Sequence, residues 1–289
     1  MAAVTAPERV SRSAAEPTRR KRRWLLGGVV AAWIVVVSVL AVWSVGHERA
    51  TVPEQRDLKL AVADLQQAAG VVYAAAGGDG RAVELGALEL TKECRITPAR
   101  SGLVAARNVT VLVPTGGTAE AVRAIADRLP PGWAADVTEE RGGTRVSLHA
   151  DAGNFIGIDT ATESTGQVFS LRLTTGCRPI DGRTPESADP ATPSAPAALG
   201  DVLRGLTAGR TEPRARAVTC PSGAVAGSYV LEGVPKTDDL AGRMRKLAGE
   251  ATLVSTDAGA YAYRSGADSV LVLPSPADKL RVVVSTPCQ

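Results

Sequence analysis

The chain predicts an α+β protein: a single N-terminal transmembrane helix, then two tandem, related α+β domains. Each domain is expected to be an antiparallel sheet with helices on one face, closed by one disulfide. Three observations carry that expectation. An uncharged apolar run fills residues 24–45. A proline-rich stretch divides the remainder into halves with two cysteines each. Both halves end on nearly the same strand, "LRLTTGC" from Leu171 to Cys177 and "LRVVVSTPC" from Leu280 to Cys288.

Residues 1–23 form a basic tail. Arg9, Arg12, Arg19, Arg20, Lys21, Arg22 and Arg23 stand there against Glu8 and Glu16. The net charge of the whole chain is only +3. The rest is therefore close to neutral, and the basic pI of the whole chain gives no argument for nucleic-acid binding.

The run at 24–45 is long enough to cross a bilayer, which takes about 20 residues. Trp24 and Trp43 stand near its ends, where indole rings favour the membrane–water boundary. The basic cluster, ending in Arg22 and Arg23, abuts the span, so the N-terminus is expected in the cytoplasm and residues from 46 onward outside. A cleaved signal peptide would show a shorter apolar region, about 7–15 residues, and a small-x-small site. "AVWSVGHE" offers a poor one. The expected localisation is a single-pass protein of the plasma membrane, with the lipid bilayer as a partner through 24–45. Arginine far outnumbers lysine, and Ala, Gly and Val abound. This composition points to a high-GC bacterium of actinobacterial type.

Cys94, Cys177, Cys220 and Cys288 all follow the span, in a compartment that permits disulfides. No C-x-x-C occurs, and the histidines after the span are His47 and His149 alone, so zinc-ligand spacing is absent. Two structural disulfides are expected. Four cysteines allow three pairings, and spacing alone does not choose.

The order of elements does choose. Residues 46–177 make the first domain, opening with a lead helix over about 55–76 marked by Leu58, Val62, Leu65, Ala69 and Val72. Residues 178–197, rich in proline, read as a semi-rigid linker. Residues 198–289 make the second domain, with Leu199, Val202, Leu203 and Leu206 marking its lead helix. A cysteine-bearing strand follows each lead helix: "ALELTKEC" and "ARAVTC". A second strand comes next, "NVTVLVP" or "GSYVLEG". A second helix follows, "TAEAVRAIADRL" or "TDDLAGRMRKL", with Thr118 and Thr237 as expected N-caps. Each half then turns to strands, with hairpin-like turns at Glu140–Gly143 and Asp257–Gly259. Matching positions pair Cys94 with Cys177 and Cys220 with Cys288. Loops of that size restrict the unfolded chain by about 4–5 kcal/mol in the loop-entropy model.

No stretch carries a catalytic or cofactor signature. "VLVPTGGTAEAV" places a glycine pair before a helix but lacks the P-loop lysine, and it reads as an ordinary turn. Alternation in "TRVSLHAD" puts Ser147 and His149 on one strand face with Asp151 nearby. A triad needs convergence from different elements, so a solvated face is expected. Glu139 and Glu140 are adjacent and point to opposite faces. Tyr261 and Tyr263 share a face, where core packing is favoured over a stacking platform. The sequon at Asn108 reads as chance. The expected function is a non-enzymatic, extracytoplasmic binding or scaffolding module of the cell envelope, acting with an envelope protein partner, without cofactor, metal or nucleic acid. The alternatives are an envelope-acting hydrolase, which needs a deep pocket with perturbed carboxylates or His149 at its centre, and a ligand-sensing exported domain that signals through a membrane partner.

Overall fold

The computed structural model describes residues 18–47, 56–97, 100–180, 189–206, 212–251, 253–255 and 260–289. The chain forms two units, Met1–Thr51 and Val52–Gln289. In the first, helix α1 runs from Thr18 to His47. Its most apolar window, Leu26–Trp43, has a mean hydropathy of 2.4, and none of it is buried. Trp24 and Trp43 are exposed. Arg22 and Arg23 lie on the same helix ahead of that window.

The second unit is α+β. Its first half contains α2 (Leu58–Ala76), β1 (Ala82–Thr97), β2 (Arg100–Leu112), α3 (Thr118–Ala126), β3 (Asp136–Glu140), β4 (Arg145–Asp151), β5 (Gly157–Glu163) and β6 (Val168–Arg178). Its second half contains α4 (Ala197–Gly205), β7 (Arg214–Thr219), β8 (Val225–Pro235), α5 (Leu240–Ala248), β9 (Leu253–Ser255), β10 (Tyr261–Ser265), β11 (Asp268–Ser275) and β12 (Lys279–Ser285). Two six-stranded antiparallel sheets result, ordered β1-β2-β6-β5-β4-β3 and β7-β8-β12-β11-β10-β9. The orders correspond strand for strand. The near-identical closing strands, β6 and β12, hold the same place in both. Disulfides join Cys94 to Cys177 and Cys220 to Cys288, as matching the halves suggests.

Several boundaries differ from the sequence reading. β1 and β2 begin earlier than "ALELTKEC" and "NVTVLVP", at Ala82 and Arg100. A bulge between Leu85 and Leu88 breaks the alternation that would have revealed them. Gly86 fits there because a Cβ would lie 2.8 Å from the Asn108 carbonyl oxygen. The helix caps are Gly117 and Asp239, not Thr118 and Thr237. Thr118 is already helical and buried, its hydroxyl donating to the Gly166 carbonyl. The Asp239 carboxylate accepts from Gly242 N at 3.1 Å, while the Thr237 hydroxyl is buried without a partner. The turn expected at Asp257–Gly259 lies outside the described residues.

α2 and α3 cover one face of the first sheet, with Leu65, Val72, Val122 and Ile125 against Leu148, Ile158 and Leu171. α4 and α5 cover one face of the second, with Val202 and Met244 over Tyr229, Val270, Val272 and Val282. The other face of the second sheet is covered as well. Val230, Ala262, Leu271 and Val283 pack against Ala82 and Leu112 of the first half. Over them β1, an edge strand, finds partners for two of its amides: Val83 N donates to Ser269 Oγ at 3.2 Å and Leu85 N to Ser228 Oγ at 2.9 Å. Serine hydroxyls thus cap amides that an edge strand would otherwise leave open to another chain. α2 closes the seam from the side. A Cβ on Gly70 would lie 2.0 Å from the Thr219 carbonyl oxygen, and Tyr73 donates its hydroxyl to the Thr286 carbonyl at 2.8 Å.

Candidate functional site

The outer face of β3–β6 is the open surface of the first sheet. Along β4, Val146, Leu148 and Ala150 point into the core, while His149 and Asp151 are exposed and Ser147 is half-buried. Cross-strand pairing lines up Asp136, His149, Asp159 and Arg172 as one row across four strands. His149 Nδ1 lies 2.7 Å from Asp159 Oδ1, with the side chains 69% and 57% exposed. The partner of His149 is therefore on the next strand, whereas Asp151 caps its own turn by accepting from Gly153 N. Ser147 occupies the neighbouring row beside Thr138 and Ala161. These groups stand side by side in water and do not converge on a common point. Such a row suits recognition of a charged surface better than proton transfer, which needs a held, dehydrated substrate. A shallow depression of about 540 Å³ follows it, lined also by Asn108 and Ser170.

A second feature, a cleft of about 490 Å³, opens between the α2–β1 turn and α3. Arg81 and Arg128 both donate to the Gly77 carbonyl, at 2.8 and 2.6 Å. Arg81 is buried, and its Nε has no partner. Burial, and then the neighbouring charge of Arg128, push the Arg81 pKa below its ordinary value. Asp79 and Glu120 stand exposed at the rim.

The seam between the halves holds a charged network. The Glu84 side chain, 6% exposed, accepts from both Arg281 and Arg216. Arg281 also donates to Glu232 at 2.8 Å. Burial lowers the Arg216 pKa; for Arg281 burial acts the same way, but the bonds and charges of Glu84 and Glu232 outweigh it and raise the value. A second hub forms at Asp189, in the stretch read as linker. The fully buried Arg107 grips its carboxylate with two bonds, at 2.8 and 3.0 Å, and Gln66 and Ala217 N donate to it too. The end of this segment is therefore fastened to α2, β2 and β7.

Among the other residues singled out in the sequence, Glu139 pairs with Arg123 and does not meet Glu140 in a shared site. Tyr263 is buried and Tyr261 half-buried beneath the second sheet's helices, so both serve packing. Among the described residues no group of three His, Cys, Asp or Glu side chains is placed to hold a metal ion. Arg81, Arg128 and Asp189 escaped the sequence reading. "AAAGGDGR", a helix end followed by glycines and an arginine, was the one local signal available.

These features define an α+β protein with two antiparallel sheets, two disulfides and an apolar N-terminal helix. No protein-family model and no curated protein matches the chain. Among solved structures it is similar to the crystal structure of a DUF4853 family protein from Actinomyces odontolyticus ATCC 17982, at 13% identity over 65% of this chain and 96% of that one. The TM-score is 0.34, and the likeness carries no argument about function.

Proposed function

We propose that the chain is a membrane-anchored cell-envelope protein that works as a non-enzymatic binding or scaffolding module. In this reading α1 spans the plasma membrane with its N-terminus in the cytoplasm, and residues 46–289 lie outside. The apolar window, the basic cluster before it and the two disulfides support that placement. The composition supports an actinobacterial-type source. The matching strand orders support a duplicated origin for the halves, 46–177 and 198–289, joined through 178–197.

One observation carries the functional reading: the outer face of β3–β6 is open and charged, while the corresponding face of the second sheet is covered. A sheet holds its side chains in fixed rows, and hydrated charges in fixed rows select partners by electrostatic complementarity.

A photo-crosslinking amino acid placed at Ser147 or Thr138 of the full chain, in its own membrane, tests this. Both positions should yield the same partner adduct, and Asp201 on α4 should not. Absence of any adduct from Ser147 and Thr138 would contradict the proposal. So would hydrolysis of an envelope substrate by the purified full chain that is lost in His149→Ala, which would establish the hydrolase instead.

A further inference from the structure

The cleft beside α3 holds two guanidinium groups, one with a buried Nε that has no partner. Arg81 comes from the turn before β1, and Arg128 from the turn after α3. Both guanidinium groups converge on one acceptor, the Gly77 carbonyl oxygen. Arg128 also reaches the Ala75 carbonyl at 3.4 Å, so the two cations have only neutral carbonyl acceptors, and among the described residues neither forms a salt bridge. Arg81 is only 7% exposed. The backbone makes room for the pair: a Cβ on Gly78, where φ is +146°, would lie 2.5 Å from Arg81 Nη2 and 3.2 Å from Arg128 Nη1. The positive φ calls for glycine at that position, while the atoms a Cβ would meet are the movable ends of the two arginine side chains.

A guanidinium presents a planar fork of donors that matches a carboxylate, and two such forks beside each other favour an oxyanion strongly. The rim restricts which oxyanion fits. Asp79 and Glu120 also line the cleft, so its four charged side chains sum to zero. An anion of higher charge, such as phosphate, would meet repulsion from the two rim carboxylates. A carboxylate with an ammonium group a few ångströms away satisfies both pairs. The remaining walls are small or apolar, including Val113, Ala121 and Ala124, and the cleft volume of about 490 Å³ is within the range of small-molecule sites.

We infer that this cleft binds a zwitterionic small molecule of the amino-acid or short-peptide class, its carboxylate held by Arg81 and Arg128 and its ammonium group by Asp79 and Glu120. This site is separate from the partner-binding face of β3–β6, and either can fail without the other.

The test is calorimetric titration of the full chain in detergent with a panel of free amino acids and dipeptides, alongside acetate, methylamine and inorganic phosphate. At least one zwitterion should bind more tightly than acetate, methylamine and phosphate. Arg128→Gln, at an exposed position, should weaken that binding about tenfold or more while leaving the melting temperature in place. Glu120→Gln should weaken the zwitterion and strengthen acetate. Phosphate as the tightest ligand would overturn the inference. So would an unchanged zwitterion affinity in Arg128→Gln, or no heat from any zwitterion up to its solubility limit. Adducts at Ser147 report on the other proposal and are unaffected by these variants.

Discussion

The two sheets share a strand order and differ in what covers them. In the first, β4, β5 and β6 alternate buried and exposed residues, as in Val146-Ser147-Leu148-His149. In the second, β8, β11 and β12 run as near-continuous apolar segments, buried on both faces. Alternation marks a sheet with one wet face, and continuous runs mark one that is covered twice. The asymmetry begins in the first strand of each half. β1 has 16 residues and β7 has 6. The long strand reaches across the second half and brings Ala82, Val83, Glu84 and Leu85 onto it, while among the described residues no equivalent strand covers β3–β6. Two sheets of matching strand order thus lie in one unit, and among the described residues the first keeps an open face.

Perturbing the covered face should produce the largest effects. Glu84→Ala leaves Arg281 and Arg216 without their shared counter-charge in the seam, and removing one partner of a buried network costs about 3 kcal/mol or more. Chemical denaturation of the full chain would measure it, and a loss below about 1 kcal/mol would make the network a surface feature. Leu271→Ala should cost about 2–4 kcal/mol by leaving a cavity between the halves.

Cys288→Ser should cost about 2–4 kcal/mol and free Cys220, which thiol labelling would detect. Because the halves share packed surface, cleavage between residues 181 and 188 should leave the two pieces co-eluting under native conditions. In denaturant they should separate without reductant, since each disulfide lies within one half. Separation under native conditions would show the seam to be weak.

Burial pushes the pKa values of Tyr73 and Tyr263 up to about 12 from 10.0. The folded chain therefore keeps protons that the unfolded chain releases. This contribution to stability is full below about pH 10 and is lost as the pH rises toward 12. Tyrosinate absorbance should show both residues silent until the chain unfolds. The smallest effect belongs to the open face, where His149→Ala should change stability by less than about 1 kcal/mol, since an exposed, hydrated polar contact contributes little.

Much of this contrast was legible in the sequence. The two closing strands led to the correct cysteine pairing, and the alternation around His149 gave its exposure. The rest depends on partners far apart in the chain. Asp189 sits among prolines and looks like part of a spacer until Arg107 and Gln66 arrive from the first half. Arg81 and Arg128 belong to turns that meet only once α2 and α3 are packed. Thr118 resembles an N-cap, but its hydroxyl is taken by Gly166 on another loop. Local pattern reports which face is wet; it does not report which buried charges find one another.

Hydroxyl-radical footprinting of the full chain, read residue by residue by mass spectrometry, tests the central contrast most directly. His149, Phe155 and Val168 are exposed in the first half and should be modified readily, while Leu271 and Val283 on the covered face of the second sheet should be protected like the core residue Leu171. Modification of Leu271 and Val283 at the rate of His149 would contradict the account, because the second sheet would then be as open as the first.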